Sequence, residues 1–539
     1  MLYNHKKAAV VGVILALFLL IAGLLFIHNR ALYTASLDSR PLNVGVVGTV
    51  ESLLPAQALA RPEKLAASAI YEGLVYYDEH SQKLKPAIAK SWRYSQTGKT
   101  LTIHLKKNIL FNNGKELTAG DVKASWENNF SATKDWYNIS LFLPVVGASE
   151  RVKGAVDVSG IQVLDDRTLK ILFTKPNKEF MYLLTNPMFW VMDTIKMSES
   201  KDLPPGTGPF MPKEINDKNI LLVRNDKYHR GLPPLKAINI NIYKDDLAAF
   251  KDYKAGKLDY LDSIPGDEIK NIKKSTEYKD RFINKPLLET YFLGFNINRE
   301  PYRNNYLLRR ALNYAIDRNA IMKKIGEDSL YRSLRSVIPQ GLAGYNKQLR
   351  GYSYDPERAR NLLEEAGYPQ GKGLPVLTLS YNSNPGHKLI AEAVVEQLAQ
   401  MGIVLQLQEV EWSYYQKQLT TMNMSFFRIG WQPDYPDADN FLYSLFYSSQ
   451  MGISNYSGYH NPQVDKLLDE SRAEANTDKR LKLLNRAEQI IIDDAPCIWL
   501  FQKNCAKLIG PNVSKLNVDN MEMIDWSQVE LLKPKIDDK

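Results

Sequence analysis

Three carboxylates crowd one short stretch, GWQPDYPDADNFL (430–442), which holds Asp434, Asp437 and Asp439 within six residues. Acidic residues this close together can chelate a hard cation or cap turns and helix starts. A calcium loop needs the alternation D-x-D-x-D-G with a late Glu, whereas Pro433 and Pro436 stiffen this run. No metal site is therefore expected here. Capping accounts for the aspartates as turn-formers, with the next helix starting at Asn440. The preceding residues, MSFFRIGW, read as a short buried strand that breaks at Gly430. A strand opening into a Pro/Asp loop is a favoured place for a functional side chain.

Other chemistry is sparse. Seven histidines show no His-x-x-x-His pair, and there is no G-x-S-x-G elbow or G-x-x-x-x-G-K-[ST] phosphate loop. GTGPF (206–210) contains a G-x-G but lacks a third glycine and a following helix, so it reads as a tight turn. Nothing assembles a nucleophile, a base and an orienter. The expectation is a binder without catalysis and without a cofactor. Cys497 and Cys505 lie eight residues apart. On an extended strand rising about 3.3 Å per residue they are too far apart to bridge, and only a hairpin between them would permit a disulfide. The net charge of +9 arises from 69 basic and 60 acidic residues with no long basic run, which argues against nucleic acid. Aromatic residues make up 10%, including 30 tyrosines, which suits a surface for small polar–apolar ligands.

At the N-terminus, residues 8–27 are twenty uncharged residues preceded by Lys6 and Lys7. At 1.5 Å per residue they just span a bilayer core of about 30 Å, and they exceed the usual h-region of about 7–15 residues. A retained transmembrane helix with its N-terminus inside is expected within residues 1–30, leaving the remainder outside the cytoplasmic membrane. Cleavage near YTAS (33–36) is the alternative.

Strands and helices alternate from Leu42 onward, which points to an α/β ectodomain in more than one lobe. GIQVLDDRTLKILF reads as a hairpin, and Thr118 with Asp121 forms an acidic variant of the capping box. NYLLRRALNYAIDRNAIMKKI reads as one long amphipathic helix with Leu308, Leu312, Ala315 and Ile316 on a single face. Asn384 followed by Pro385 fits a helix start.

Seven stretches in order carry a resemblance: ESLLPAQA…AIYEGLVYYD (51–78), LKPAIAKSW (84–92), FNNGKELTAGDVKASW (111–126), GTGPF (206–210), YFLGFNINREPYRNNYLLRRALNYAIDRNAI (291–321), YDPERARNLLEEAGYPQGKG (354–373) and the opening GWQPDYPDADNFL. Together they resemble the extracytoplasmic solute-binding proteins of peptide- and nickel-type ABC importers. The resemblance implies two α/β lobes joined by a hinge, with ligand enclosed between them and an extra β-rich subdomain inserted in the first. Mapped onto this chain, lobe I takes 42–78, 201–288 and 509–539, the subdomain 79–200, and lobe II 289–508. Many members are lipoproteins; Leu24 stands where their cysteine would, which strengthens the expectation of a retained helix. The implied partners are a peptide ligand, the importer's permease and ATPase subunits, and the membrane itself. A tethered sensor or scavenger of peptide or nickel chelate, without transport, is the alternative.

The resemblance also assigns roles within the site. An aspartate at the place of Asp434 anchors the ligand's α-ammonium, which needs a carboxylate once water is lost. Trp412 and Trp431 resemble pocket aromatics, with Tyr435 beside the anchor. Arg428 is the candidate for the ligand carboxylate, since a planar fork matches it with two bonds; a structural pair with a neighbouring aspartate is the alternative. His387 stands at a helix start, where it could line the pocket or be solvated. Glu51, Ser52, Thr207 and Gly208 are the lobe I candidates for ligand contact. Asp437 and Asp439 keep turn and cap duties.

Overall fold

The structure is a computed structural model that describes residues 40–132, 136–194, 203–326 and 330–532. The expected membrane span at 8–27 lies outside the described residues. Among those described, no helix is long and apolar enough to cross a membrane.

Two mixed sheets organise the chain. The first runs in the order Phe282–Ile283, Lys507–Ile509, Tyr260–Leu261, Leu42–Val47, Ala237–Tyr243, Asn219–Arg224, Phe210–Ile215. Leu42–Val47 pairs in parallel with Ala237–Tyr243 and Tyr260–Leu261. Alternate residues Leu42, Val44 and Val46 point to one face, as the two-residue strand period demands. They bury against Leu65, Ala66, Ala69 and Ile70 of the Arg61–Ile70 helix.

The second sheet runs Tyr331–Ser333, Cys497–Asn504, Pro286–Phe295, Phe426–Trp431, Leu377–Asn382, Leu405–Val410. Leu377–Asn382 is parallel to both of its neighbours, and Pro286–Phe295 is antiparallel to both of its own. Helices cover both faces. One face carries Leu308, Leu312, Ile390 and Val394, the other Phe441, Leu445, Leu484 and Ile491. A smaller antiparallel sheet, Ala89–Tyr94, Thr100–Leu105, Thr168–Leu172, Ile161–Asp165, holds its own core with Trp126, Phe130 and Phe180.

The chain passes between the two large sheets twice, once between Ile283 and Pro286 and once between Asn504 and Lys507. The two passages lie side by side: Cys505 N donates to Lys285 O at 2.9 Å and Asn504 Nδ2 to Asn284 Oδ1 at 2.9 Å. Cys497 and Cys505 stand at opposite ends of the Cys497–Asn504 strand, free and buried.

Local signals hold in several places. Asn384 accepts from Gly386 N at 2.9 Å and His387 N at 3.3 Å. Thr118 N donates to Asp121 Oδ2 at 2.8 Å, and Asp121 N to Thr118 Oγ1 at 3.3 Å. Three boundaries differ from expectation. The long helix is two, Tyr306–Ala315 and Arg318–Lys324, because Asp317 turns its carboxylate onto Asn319 N and Ala320 N and starts the second. The strand before the aspartate loop continues through Gly430 to Trp431, since Gly430 pairs with Tyr291 in the sheet. The helix after the loop is Ala438–Phe446, capped by Asp437 rather than begun at Asn440.

Candidate ligand-binding site

Leu377–Asn382, Leu405–Val410 and Phe426–Trp431 form a parallel trio, and the crevice beyond the carboxyl ends of parallel strands is where α/β sheets take ligands. Asn382 closes one of these strands, and His387, Trp412 and the Asp434 loop follow their ends.

Along Phe426–Trp431, side chains alternate. Phe427, Ile429 and Trp431 enter one core, while Phe426, Arg428 and Gly430 face the other way. The Arg428 guanidinium lies over the Tyr291 ring, 4.6 Å from its centroid, and Nη1 donates to Asn382 Oδ1 at 3.1 Å. Gly430 makes room for it, as a Cβ there would meet Arg428 Nη2 at 3.3 Å. Tyr291 Oη sits 3.4 Å from His387 Nδ1. Burial, and then the Arg428 charge, push the His387 imidazole down to about 4. His387 is therefore a half-buried neutral ring beside a cation rather than a solvated first-turn histidine. Arg428 meets no carboxylate among the described residues, and its Nε is buried without a partner. A half-buried guanidinium with no counter-ion is a standing receptor for an anion.

The second charged element is Asp434, half-buried at the loop's start. Fully buried Asn440 orients it: Asn440 Nδ2 donates to Asp434 Oδ2 at 2.9 Å, while Asn440 Oδ1 accepts from Trp431 Nε1 at 3.0 Å and from Asp434 N at 3.3 Å. Trp431, expected as a pocket aromatic, has its ring 9% exposed in the core and its N–H committed to Asn440. Tyr435 is buried as well. Its ring joins the core of the small sheet's unit and its hydroxyl donates to Asp439 Oδ2 at 2.7 Å. Trp412 is 50% exposed at the start of the Trp412–Thr420 helix, with its ring stacked on Tyr415, and is free to meet a ligand.

The other two aspartates carry more than caps. Asp437 receives Arg480 through Nη2 at 2.5 Å and Nη1 at 3.1 Å. Asp439, fully buried, receives Arg472 through Nε at 2.9 Å and Nη2 at 2.7 Å. The Arg472 guanidinium holds the Asp439 carboxyl below its ordinary range against the opposing effect of burial.

The first-lobe candidates divide. Buried Glu63 draws the 51–60 loop around itself, taking Glu51 N at 2.5 Å, Ser52 N at 2.9 Å, Leu59 N at 2.9 Å and Ala60 N at 2.8 Å. Ser52 spends its hydroxyl on Gln57 Oε1 at 2.9 Å, which ties the loop. Glu51 leaves its side chain exposed. Thr207 is fully buried, and Gly208 lies so close to the end of the Arg61–Ile70 helix that a Cβ would meet Ala69 O at 2.4 Å. That close backbone approach requires a glycine. Sequence reasoning missed Lys64, a half-buried ammonium on the same helix with no ion pair among the described residues. Burial and then Arg61 lower its pKa, while Glu522, Glu63 and Asp434 oppose that. No spacing in the sequence signals this half-buried lysine.

Among the described residues no group of three or more His, Cys, Asp or Glu side chains could hold a metal ion. Residues 83–452 match the family model of the bacterial extracellular solute-binding proteins, family 5 Middle. The chain is 29% identical to heme-binding protein A of Haemophilus influenzae over 80% of its length and 81% of that protein. It is 27% identical to the oligopeptide-binding protein OppA of Bacillus subtilis over 89% of its length and 92% of that protein. Its structure is similar to the unliganded open form of the periplasmic murein tripeptide-binding protein MppA, with a TM-score of 0.80 and 26% identity over 92% of this chain and 98% of that one.

Proposed function

The chain belongs to the bacterial extracellular solute-binding proteins of family 5, and on that premise we propose that it captures short peptides between two lobes and hands them to the permease of an ABC importer. Residues 42–78, 201–288 and 509–539 serve as the first lobe, 289–508 as the second and 79–200 as the inserted subdomain. The apolar stretch 8–27 tethers the whole to the outer face of the cytoplasmic membrane.

One observation carries the peptide reading. The second lobe presents an oriented carboxylate, Asp434 held by Asn440, and an Arg428 guanidinium with no carboxylate partner among the described residues. A peptide is a zwitterion with an ammonium at one end and a carboxylate at the other, and each terminus meets its complement without reference to side-chain sequence. Half-exposed Trp412 adds an apolar face for a side chain between them. The paired crossings near 284 and 505 act as the hinge on which the lobes close.

Native mass spectrometry of freshly purified protein tests the ligand class. Co-purified peptides are the expected result. Bound heme or a nickel chelate in their place would overturn the peptide reading, and uptake of labelled peptide that persists in a strain lacking this protein would argue against delivery.

A further inference from the structure

The small sheet's unit reaches into the Asp434 loop at three levels. Asn186 Nδ2 donates to the backbone oxygen of Asp434 at 3.0 Å, while its Oδ1 accepts from Met188 N at 2.9 Å, which fixes the amide's orientation. Tyr435, the next residue along the loop, is 5% exposed and belongs to the apolar core that also holds Phe180, Leu184 and Met188. Behind it, Arg480 bridges the two units, with Nε on Glu179 Oε1 at 2.8 Å and its other nitrogens on Asp437. Lys178 N donates to Arg472 O at 3.1 Å, so the helix that carries the second guanidinium is held from the same side.

These contacts converge on one object. Glu179, Asp437 and Asp439 face Arg480 and Arg472, with side-chain exposures of 4%, 2%, 0%, 8% and 13%. Removing a partner from the Arg480–Asp437 or Arg472–Asp439 pair leaves an uncompensated buried charge, while burial and the neighbouring aspartates push the Glu179 carboxyl up to about 8. Asp437 caps the Ala438–Phe446 helix, and that helix carries Asn440, which orients the Asp434 carboxylate. The Asp434 backbone is therefore gripped from the small unit and its side chain from the second lobe.

We propose that the inserted unit is a working part of the ligand site, and that Asn186, backed by Glu179, is a positioning residue for the Asp434 carboxylate. This rests on the reading of Asp434 as the anchor of the ligand's ammonium. A hydrogen bond on the carbonyl of Asp434 sets where its carboxylate points, so losing it costs affinity only for ligands that use that carboxylate. Preorganisation of this kind comes from the shell behind the contact residue, and small misplacements are felt.

The test uses the full chain and a synthetic mixture of two- to five-residue peptides, free and N-acetylated, with capture read by mass spectrometry. Asn186→Ser keeps an acceptor for Met188 N, as serine caps helices well, but is too short to reach the Asp434 carbonyl. The expected result is about two- to ten-fold weaker capture of free peptides, the loss of one ordinary hydrogen bond. Acetylated peptides should be captured as before, and the substitution should add nothing in an Asp434→Ala background. Asn186→Thr, which likewise keeps an acceptor for Met188 N and is too short to reach the Asp434 carbonyl, should give the same pattern, and it decides the matter if Asn186→Ser does not fold. Equal weakening of both peptide sets, or no weakening of either, would overturn the proposal. If the parent protein captures free and acetylated peptides equally well, the anchor reading has failed first, and the two failures are thereby told apart.

Discussion

Asn440 Nδ2 donates to Asp434 Oδ2 at 2.9 Å, and the same amide's oxygen takes the indole N–H of Trp431 at 3.0 Å. A single buried amide thus ties the last residue of a strand to the first charged residue of the loop. Its orientation follows from its partners, two N–H donors on one side and a carboxylate on the other. Asn440→Ala should cost about 1–3 kcal/mol of stability, because Trp431 Nε1 is left buried without an acceptor. It should also weaken ligand binding, whereas Asn440→Asp should keep the indole bond and set a like charge beside Asp434. Denaturant unfolding with parallel ligand titrations checks both.

Arg428 makes a second prediction. If its fork receives the ligand carboxylate, Arg428→Ala should lower affinity for free peptides by about 2–5 kcal/mol and leave C-terminally amidated peptides unaffected. Arg428→Lys should rescue little, since an ammonium cannot reproduce two parallel bonds. Competition titrations with the two ligand forms measure this, and equal losses for both would remove Arg428 from the carboxylate role.

How much of this was legible in the sequence depended on range. Asn384 capping its helix, Thr118 with Asp121, and the α/β alternation rest on neighbours within four residues, which spacing reports directly. The partners of Asp437 and Asp439 are Arg480 and Arg472, 43 and 33 residues away, and no local pattern announces them. The family resemblance offers Trp431 as a pocket aromatic, and Tyr435 stands beside the anchor as a ligand-binding candidate. Strand alternation turns Trp431 into the core, and a separate unit swallows Tyr435. Gly208 looked like a ligand-side glycine, yet the end of a helix packs where its Cβ would be.

The paired crossings predict motion. Cys505 N to Lys285 O and Asn504 Nδ2 to Asn284 Oδ1 are the bonds between them described above, so a change in lobe angle is absorbed over a few residues. Small-angle scattering should give a smaller radius of gyration with saturating peptide than without. Equal radii would mean a rigid, preformed site.

Glu488 predicts a pH effect on stability. It is 1% exposed, accepts from Ile338 N through Oε1, and leaves Oε2 buried without a partner. Burial pushes its carboxyl up to about 8. With the folded pKa above the unfolded value of about 4.3, the folded state holds a proton that the unfolded state has released between those limits. Its contribution is present at low pH and is lost as pH rises toward 8. Glu488→Gln removes the titration, so its melting temperature should rise relative to the parent between pH 5 and pH 8. A parent and variant that run parallel across that range would contradict the assignment.

The central claim is that Asp434 holds the ligand's ammonium, and calorimetry on the parent and Asp434→Ala proteins with free and N-acetylated peptides addresses it most directly. A buried ammonium deprived of its carboxylate costs about 2–5 kcal/mol, roughly thirty-fold to several thousand-fold in affinity. The account predicts that loss for free peptides on Asp434→Ala, a comparable loss for acetylated peptides on the parent, and no further loss when the two are combined. Acetylated peptides that bind the parent protein as tightly as free ones would contradict it.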